Sequence, residues 1–328
     1  MFKKIMLGIL LLLVLAAVGF VLFVTFNYER TFDAPYPSIK ASTDSALIAR
    51  GKYLAYGPAH CSHCHISLTQ FARVERGEEV PLSGGFPFKL PIGTIVTPNI
   101  TPDNETGIGK LSDGEIARAL RYGVRHDGRA IIDFMPFYDI SDYDLTAIIS
   151  FLRTQTPINA FQPINHDWNF MGKAVMALVM KPMGDGEVPP SPAPDSTAAF
   201  GKYLVDNVAN CRGCHTNRDM MTGAYIGPDM AGPTKFEVFD LATGSIIEGK
   251  HIVAPNLTPD PETGRITDWT KQDFLARFRR GTLIPGTPMP WGPFGRMSDM
   301  ELIAIWKYLQ TLTPVKSEAP IGIQEGNP

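Results

Sequence analysis

Cysteine is scarce in this chain, four residues in 328, and histidine is nearly as rare at seven. So few cysteines exclude a small disulfide-stapled secreted scaffold. A surplus of either charge is also missing. Thirty basic side chains face 33 acidic ones for a net charge of -3, without the basic excess that a nucleic-acid partner demands. Hydrophobic residues, at 44%, are too many for a disordered chain and too few for a polytopic membrane protein. What remains is a globular chain long enough for two ordinary cores.

The few cysteines are not scattered. Cys61 pairs with Cys64 and Cys211 with Cys214, and each pair is followed at once by a histidine, His65 and His215. This C-x-x-C-H spacing attaches c-type haem: two thioethers fix the porphyrin edge while the adjacent imidazole becomes the proximal iron ligand. A zinc site, a thioredoxin-like pair or a structural disulfide would leave both identically placed histidines without a role. The motifs therefore predict two covalently bound haem c groups.

Lys3 and Lys4 precede an uncharged apolar run from Ile5 to Phe26, ended by Asn27, Glu29 and Arg30. Its helical length of about 33 Å matches a bilayer's hydrocarbon thickness. The preceding lysines predict a cytoplasmic N-terminus and an exported body, hence a single-pass protein of the cytoplasmic (inner) membrane with its haem domains in the periplasm. The alternative is a signal peptide cleaved at the small residues Ala17-Val18-Gly19. No cysteine near the run supports a lipoprotein.

The remainder repeats itself. Gly51-Lys52-Tyr53-Leu54 and Gly201-Lys202-Tyr203-Leu204 lead to the haem motifs at equal distance, and Pro98 to Asp103 is answered by Pro255 to Asp260. Glu105-Thr106-Gly107 matches Glu262-Thr263-Gly264, and Ala147 to Leu152 matches Ala304 to Leu309. A longer spacing in the second half places an insertion around Met220 to Lys250. Helices are expected over Ser45 to Tyr53 and Thr197 to Val205. Others open at Ser112 with Glu115, at Thr270, at Ser141, and at Ser298 with Glu301, the first two closing at Gly123 and Gly281. Glycines on the first helix of each half, facing Phe151 and Tyr308 on the last, would let those helices cross closely. Trp168 to Met180 reads as an apolar helix too short to span a bilayer, packed between domains or lying on a membrane surface; Val188 to Pro194 reads as a stiff linker.

The expected fold class is all-α: two tandem class I-like cytochrome c domains after a single N-terminal transmembrane helix. The expected boundaries are 1-27 anchor, 28-44 linker, 45-157 first domain, 158-197 connector, 198-314 second domain and 315-328 polar tail.

An electron-transfer haem fills both axial positions, and methionine opposite histidine raises its potential. Met135, in Phe134-Met135-Pro136-Phe137-Tyr138, and Met289, in Pro288-Met289-Pro290-Trp291, occupy matched aromatic loops before the last helix of each half. Matched placement outweighs the usual packing role of a lone methionine. The metal ligands are thus expected to be His65, Met135, His215 and Met289, with Cys61, Cys64, Cys211 and Cys214 holding the cofactors. His126 is expected at the surface, Met297 and Met300 in packing, His60 and His63 solvated or beside a propionate, and His166 and His251 without a role.

The order of these motifs, from Ser45 to Pro314, resembles the cytochrome c subunits of membrane-bound alcohol and gluconate dehydrogenases. Those subunits typically carry three haems, against two motifs here. The resemblance implies His/Met haems and electron transfer from a periplasmic dehydrogenase toward quinone or an oxidase. The partner is thus a periplasmic dehydrogenase, a respiratory complex or a terminal oxidase, with no nucleic acid. An electron carrier with no substrate chemistry is the expected function; the alternative is a dihaem oxidoreductase acting on peroxide or a sulfur anion.

Overall fold

The computed structural model describes residues 1–163, 167–184, 186, 188–219, 224–240 and 245–326. His166, and Met220 at the edge of the expected insertion, lie outside them. Helix α1 (Phe2–Asn27) is apolar throughout its span and almost wholly exposed. Helix α2 (Ser45–Tyr56) starts where Asp44 accepts from the amides of Ala46 and Leu47. The first C-x-x-C-H lies on a short turn, α3 (Cys61–Cys64), followed by α4 (Phe71–Glu75). Strands β1 (Pro87–Leu90) and β2 (Gly93–Val96) form a tight hairpin. Ser112 and Glu115 cap α5 (Asp113–Tyr122) reciprocally, and Gly123 ends it in the left-handed region at φ 66°. Ser141 caps α6 (Asp142–Thr154). The connector holds β3 (Asp167–Trp168), paired to β2, and α7 (Phe170–Leu178).

The second half follows the same order. Helix α8 (Ala198–Tyr203) continues into a wider π-turn over Leu204–Val208, then α9 (Cys211–His215) carries the second motif. Strands β4 (Lys235–Asp240) and β5 (Ser245–Val253) make a longer hairpin. It occupies the expected insertion. A capping box of Thr270 and Asp273 opens α10 (Lys271–Arg279); α11 (Trp291–Phe294) follows Met289; Ser298 and Glu301 open α12 (Asp299–Leu309). Strand β6 (Ile323–Glu325) adds to β5.

The all-α expectation therefore needs correction. Helix exceeds strand, 39% against 12%, but two three-stranded antiparallel sheets are present. Phe88, Ile95 and Val96, or Val238 and Ile252, suit a pleated half-buried surface, and their runs are too short to register as repeats. The C-terminal tail joins this second sheet: its Ile323 pairs with Ile252, and Gly326 accepts from His251 Nδ1 at 2.8 Å. His251 is thus buried in a sheet contact. Nor does α7 sit between the halves. It docks on α1 and the first hairpin, with Phe170 edge-on to Phe20 at 6.2 Å and Met176 buried beside Trp168 and Ile95.

Within each half the first and last helices cross at a glycine, as their sequences suggest. A Cβ on Gly51 would lie 1.8 Å from the Ala147 carbonyl oxygen, and one on Gly201 would lie 2.0 Å from that of Ala304. Backbone touches backbone at both crossings. Replacing Gly201 by valine is expected to destabilise the protein by about 1–3 kcal/mol or more through overpacking. Denaturant unfolding against the parent protein measures this directly.

Candidate haem sites

Each C-x-x-C-H turn begins with a residue held at positive φ, His60 at 40° and Asn210 at 49°. Such backbone is costly outside glycine, so its recurrence marks a conformation that both motifs require. The following histidines are buried, and each Nδ1 donates to a proline carbonyl: His65 to Pro98 at 2.9 Å, His215 to Pro255 at 3.0 Å. This bond fixes the tautomer and leaves Nε2 as a lone-pair donor, the arrangement of a metal-binding imidazole. Burial lowers both imidazole pKa values, opposed in part by the carbonyl, which keeps the rings neutral.

The repeated Pro-Asn loops position those carbonyls. Asn99 donates to Thr106 and to the Ile158 carbonyl, Asn256 to Thr263 and to the Val315 carbonyl. Asp103 and Asp260 close the turns by accepting from the amides of Thr106 and Thr263. Each loop thereby pins the chain leaving its final helix.

The cysteines form no disulfide. Burial pushes Cys61, Cys64 and Cys211 up to about 12 and Cys214 to about 11. Redox-active C-x-x-C thiols lie at about 3.5–7.5. The pairs are therefore unlike a thioredoxin site. No group of three or more His, Cys, Asp and Glu side chains placed to hold a metal occurs among the described residues.

In the second half Cys211, Cys214, His215 and Met289 line one cavity of ≈ 1250 Å³ including its open mouth. Its walls are apolar, with Trp269, Phe274 and Trp291, and Ile321 of the tail covers one side. Arg265 and Arg277 also face it, and neither forms an ion pair among the described residues. Arg277 also donates to the Gly281 carbonyl and lies over the Trp291 ring. Apolar walls, two thiols, an oriented imidazole, a thioether and two arginines fit a haem with its propionates. In the first half Cys61 and Met135 pack on the core. A ladder of rings runs from His63 through Phe71, Phe86 and Phe88 to Phe134, beside Met135, each centroid 4.8–5.7 Å from the next.

An arginine clamp holds each methionine loop. Arg121 donates to the carbonyls of Tyr138 and Ile140 and pairs with Asp142. Arg279 does the same to Gly295, Met297 and Asp299. Sequence reasoning missed this pair, although each arginine stands two residues before the glycine that closes its helix segment. His126 is exposed and Met297 fully buried, as expected. Met300 is exposed instead, because only the inward face of α12 packs. His60 and His63 are not solvated: His60 lies 5.3 Å from the Phe294 ring, and His63 Nδ1 is 3.4 Å from Glu75.

The halves meet as near mirror copies of one contact. Tyr53 Oη donates to Glu301 and accepts from the Ser298 amide. Tyr203 Oη donates to Asp144 at 2.7 Å and accepts from the Ser141 amide at 3.2 Å. Arg50 links both carboxylates. Each methionine loop also touches the other half: Gly292 and Thr282 donate to Glu75, and Arg218 pairs with Asp133.

The alcohol dehydrogenase (quinone) cytochrome c subunit of Gluconobacter oxydans (strain 621H) is 30% identical over 86% of this chain and 58% of its own length. The gluconate 2-dehydrogenase cytochrome c subunit of Pantoea cypripedii is 30% identical over 82% and 60%. The chain is a relative of dehydrogenase cytochrome c subunits. A diheme cytochrome c-type protein of Cereibacter sphaeroides is 28% identical over 65% of this chain and 69% of its own. The chain spans about three fifths of the length of the dehydrogenase subunits it matches, and no family model matches it. These relatives are named as cytochrome c subunits or as a diheme cytochrome.

Replacing buried Arg121 by alanine leaves two carbonyls without their donor and is expected to cost about 1–3 kcal/mol. Arg76→Ala, at an exposed pair, is expected to stay within ~0.5 kcal/mol. Paired denaturant melts distinguish the two.

Proposed function

We propose that this protein is a membrane-anchored dihaem cytochrome c that carries electrons onward from a periplasmic dehydrogenase. Its halves, 45-157 and 198-314, act as tandem class I-like cytochrome c domains. In the first, Cys61 and Cys64 hold haem with His65 and Met135 as axial ligands; in the second, Cys211, Cys214, His215 and Met289 do so. Helix α1 anchors the chain in the inner membrane with both halves in the periplasm. The observation that carries this function is the second-half cavity lined by both cysteines, the oriented histidine and Met289.

Haem supplies the one-electron chemistry, and the chain sets its environment. Pro98 and Pro255 hold the two imidazoles through Nδ1. The aromatic loops around Met135 and Met289 exclude water, and Arg265 and Arg277 suit the propionate edge. Electrons exchange between the halves across the seam where His60 meets Phe137 and Phe294. The donor is read from the dehydrogenase subunits among its relatives; a terminal oxidase or other respiratory complex accepts the electrons.

The mature protein is expected to weigh two haem groups more than its chain. Met135→Ala and Met289→Ala are each expected to lower the potential of the haem in the same half, since loss of a thioether removes the ligand that favours ferrous iron. Each is also expected to admit carbon monoxide to that reduced iron. Redox titration and carbon monoxide difference spectra check both. A single haem by mass, or peroxide or sulfur-anion turnover at a high-spin haem of the parent protein, would falsify the carrier assignment.

A further inference from the structure

Helix α7 presents an apolar stripe outward. Met171, Ala174, Val175 and Leu178 recur at the three- and four-residue spacing of one helix face. The opposite face is spent on the protein, with Gly172 and Met176 buried against the first hairpin and Trp168. Phe170 is 48% exposed, Met171 63%, Leu178 51%, and Val179, just past the helix, 37%. The helix contains no acidic residue. In water such a face is a liability.

The position of α7 along α1 says what covers it. The Phe170 ring rests on Phe20, and Val24, one turn further on, is the fully buried residue of α1. From Phe20 to the end of the apolar run at Phe26 the helix rises about 9 Å. The N-terminal end of α7 therefore lies level with the interior of the run, while its other end rises out. Lys173 sits 4.8 Å above the Tyr28 ring, and Arg30 donates to the Met180 carbonyl. Aromatic rings and cations at this level match the interface of a bilayer, where long basic side chains keep their charge in the headgroups. Contacts at Phe20 and at Arg30 run α7 alongside α1, so its Phe170 end reaches about 9 Å into the apolar run while Met180 stands at headgroup level.

We propose that α7 is a second membrane-contacting element, its Phe170–Met171 end seated among the acyl chains and its Leu178 end among the headgroups of the leaflet from which α1 emerges. The assignment rests on α1 being a retained membrane span. Residues 28–44 already hold α1 to the first half, with the Phe32 amide on the Gly128 carbonyl and Glu29 paired to Arg129; a second lipid contact fixes the tilt of the halves on the membrane. It also selects which half faces lipid. Trp168 and Met176 pack toward Phe88, and Phe88 contacts Phe134 beside Met135, so the first half rests on the membrane and the second stands away from it.

The test uses the full-length holoprotein in vesicles of phosphatidylcholine and phosphatidylglycerol. Single nitroxide labels go on Met171→Cys, on Leu178→Cys as a second exposed position, and on Leu12→Cys within α1; the haem spectrum confirms folding of each variant. Collision rates with oxygen, which partitions into lipid, and with a water-soluble nickel chelate are compared by electron paramagnetic resonance. The expected result is a several-fold preference for oxygen at Leu12 and at Met171, strongest at Leu12 and falling toward parity at Leu178. Nickel preference at Met171 and Leu178 with oxygen preference at Leu12 overturns the α7 proposal and leaves the anchor standing. Nickel preference at Leu12 overturns the anchor and this proposal together.

Discussion

Everything in the arrangement of the two halves turns on Arg50. Its guanidinium lies between Asp144 at 3.0 Å and Glu301 at 3.3 Å, with both carboxylates almost completely buried. One cation among two anions is unbalanced by simple count. The deficit is met by position: Asp144 and Glu301 each sit in the first turn of a final helix, where the helix dipole and free amides favour negative charge. Tyr53 and Tyr203 add a hydroxyl donor to each acid. Removing one member of a buried set of this kind typically costs about 3–5 kcal/mol, because the partner is left charged and dry. The seam is therefore specific rather than merely adhesive, and it holds the two helix starts face to face.

Those helix starts end the loops that carry Met135 and Met289, so the seam reaches into both sites. Asp133, two residues before Met135, is held by Arg218, just past the second haem motif. Gly292, three after Met289, is held by Glu75, which also faces His63 of the first motif. Each methionine loop is thus supported by the half to which it does not belong. The repeat reads as two self-contained units in sequence, but the packing makes them one cooperative body.

What could be read beforehand was local. The capping boxes at Ser112 and Ser298, the helix start at Thr270, the close crossings at Gly51 and Gly201, and the paired C-x-x-C-H turns depend on neighbours in sequence or on one helix face. The Arg50 cluster was not legible, because its members matter only once the halves are paired, and position 50 is answered in the repeat by Phe200. The strands were missed for a different reason. Runs as short as Gly93–Val96 gain stability from the partner strand and from Trp168 across the sheet, neither of which the run itself reveals. Helix α7 was visible as a helix, yet its setting depends on a contact with Phe20, far off in the chain.

Departures from the repeat also make the two sites unequal. The first is closed by stacked rings from His63 to Phe134 and lies near α7. The second has the longer hairpin, Arg265 and Arg277 in its wall, and the tail around Ile321 over its mouth. Burial, local charge and solvent access are the levers by which a protein sets a haem potential when the axial ligands are the same. With identical surroundings, two His/Met haems would give an electron no preferred direction. The proposed carrier obtains its direction from the parts that do not repeat: Arg265 and Arg277 on one site, the aromatic ladder and α7 beside the other. The repeated parts, from the proline carbonyls to the arginine clamps, are alike in both halves while the surroundings differ.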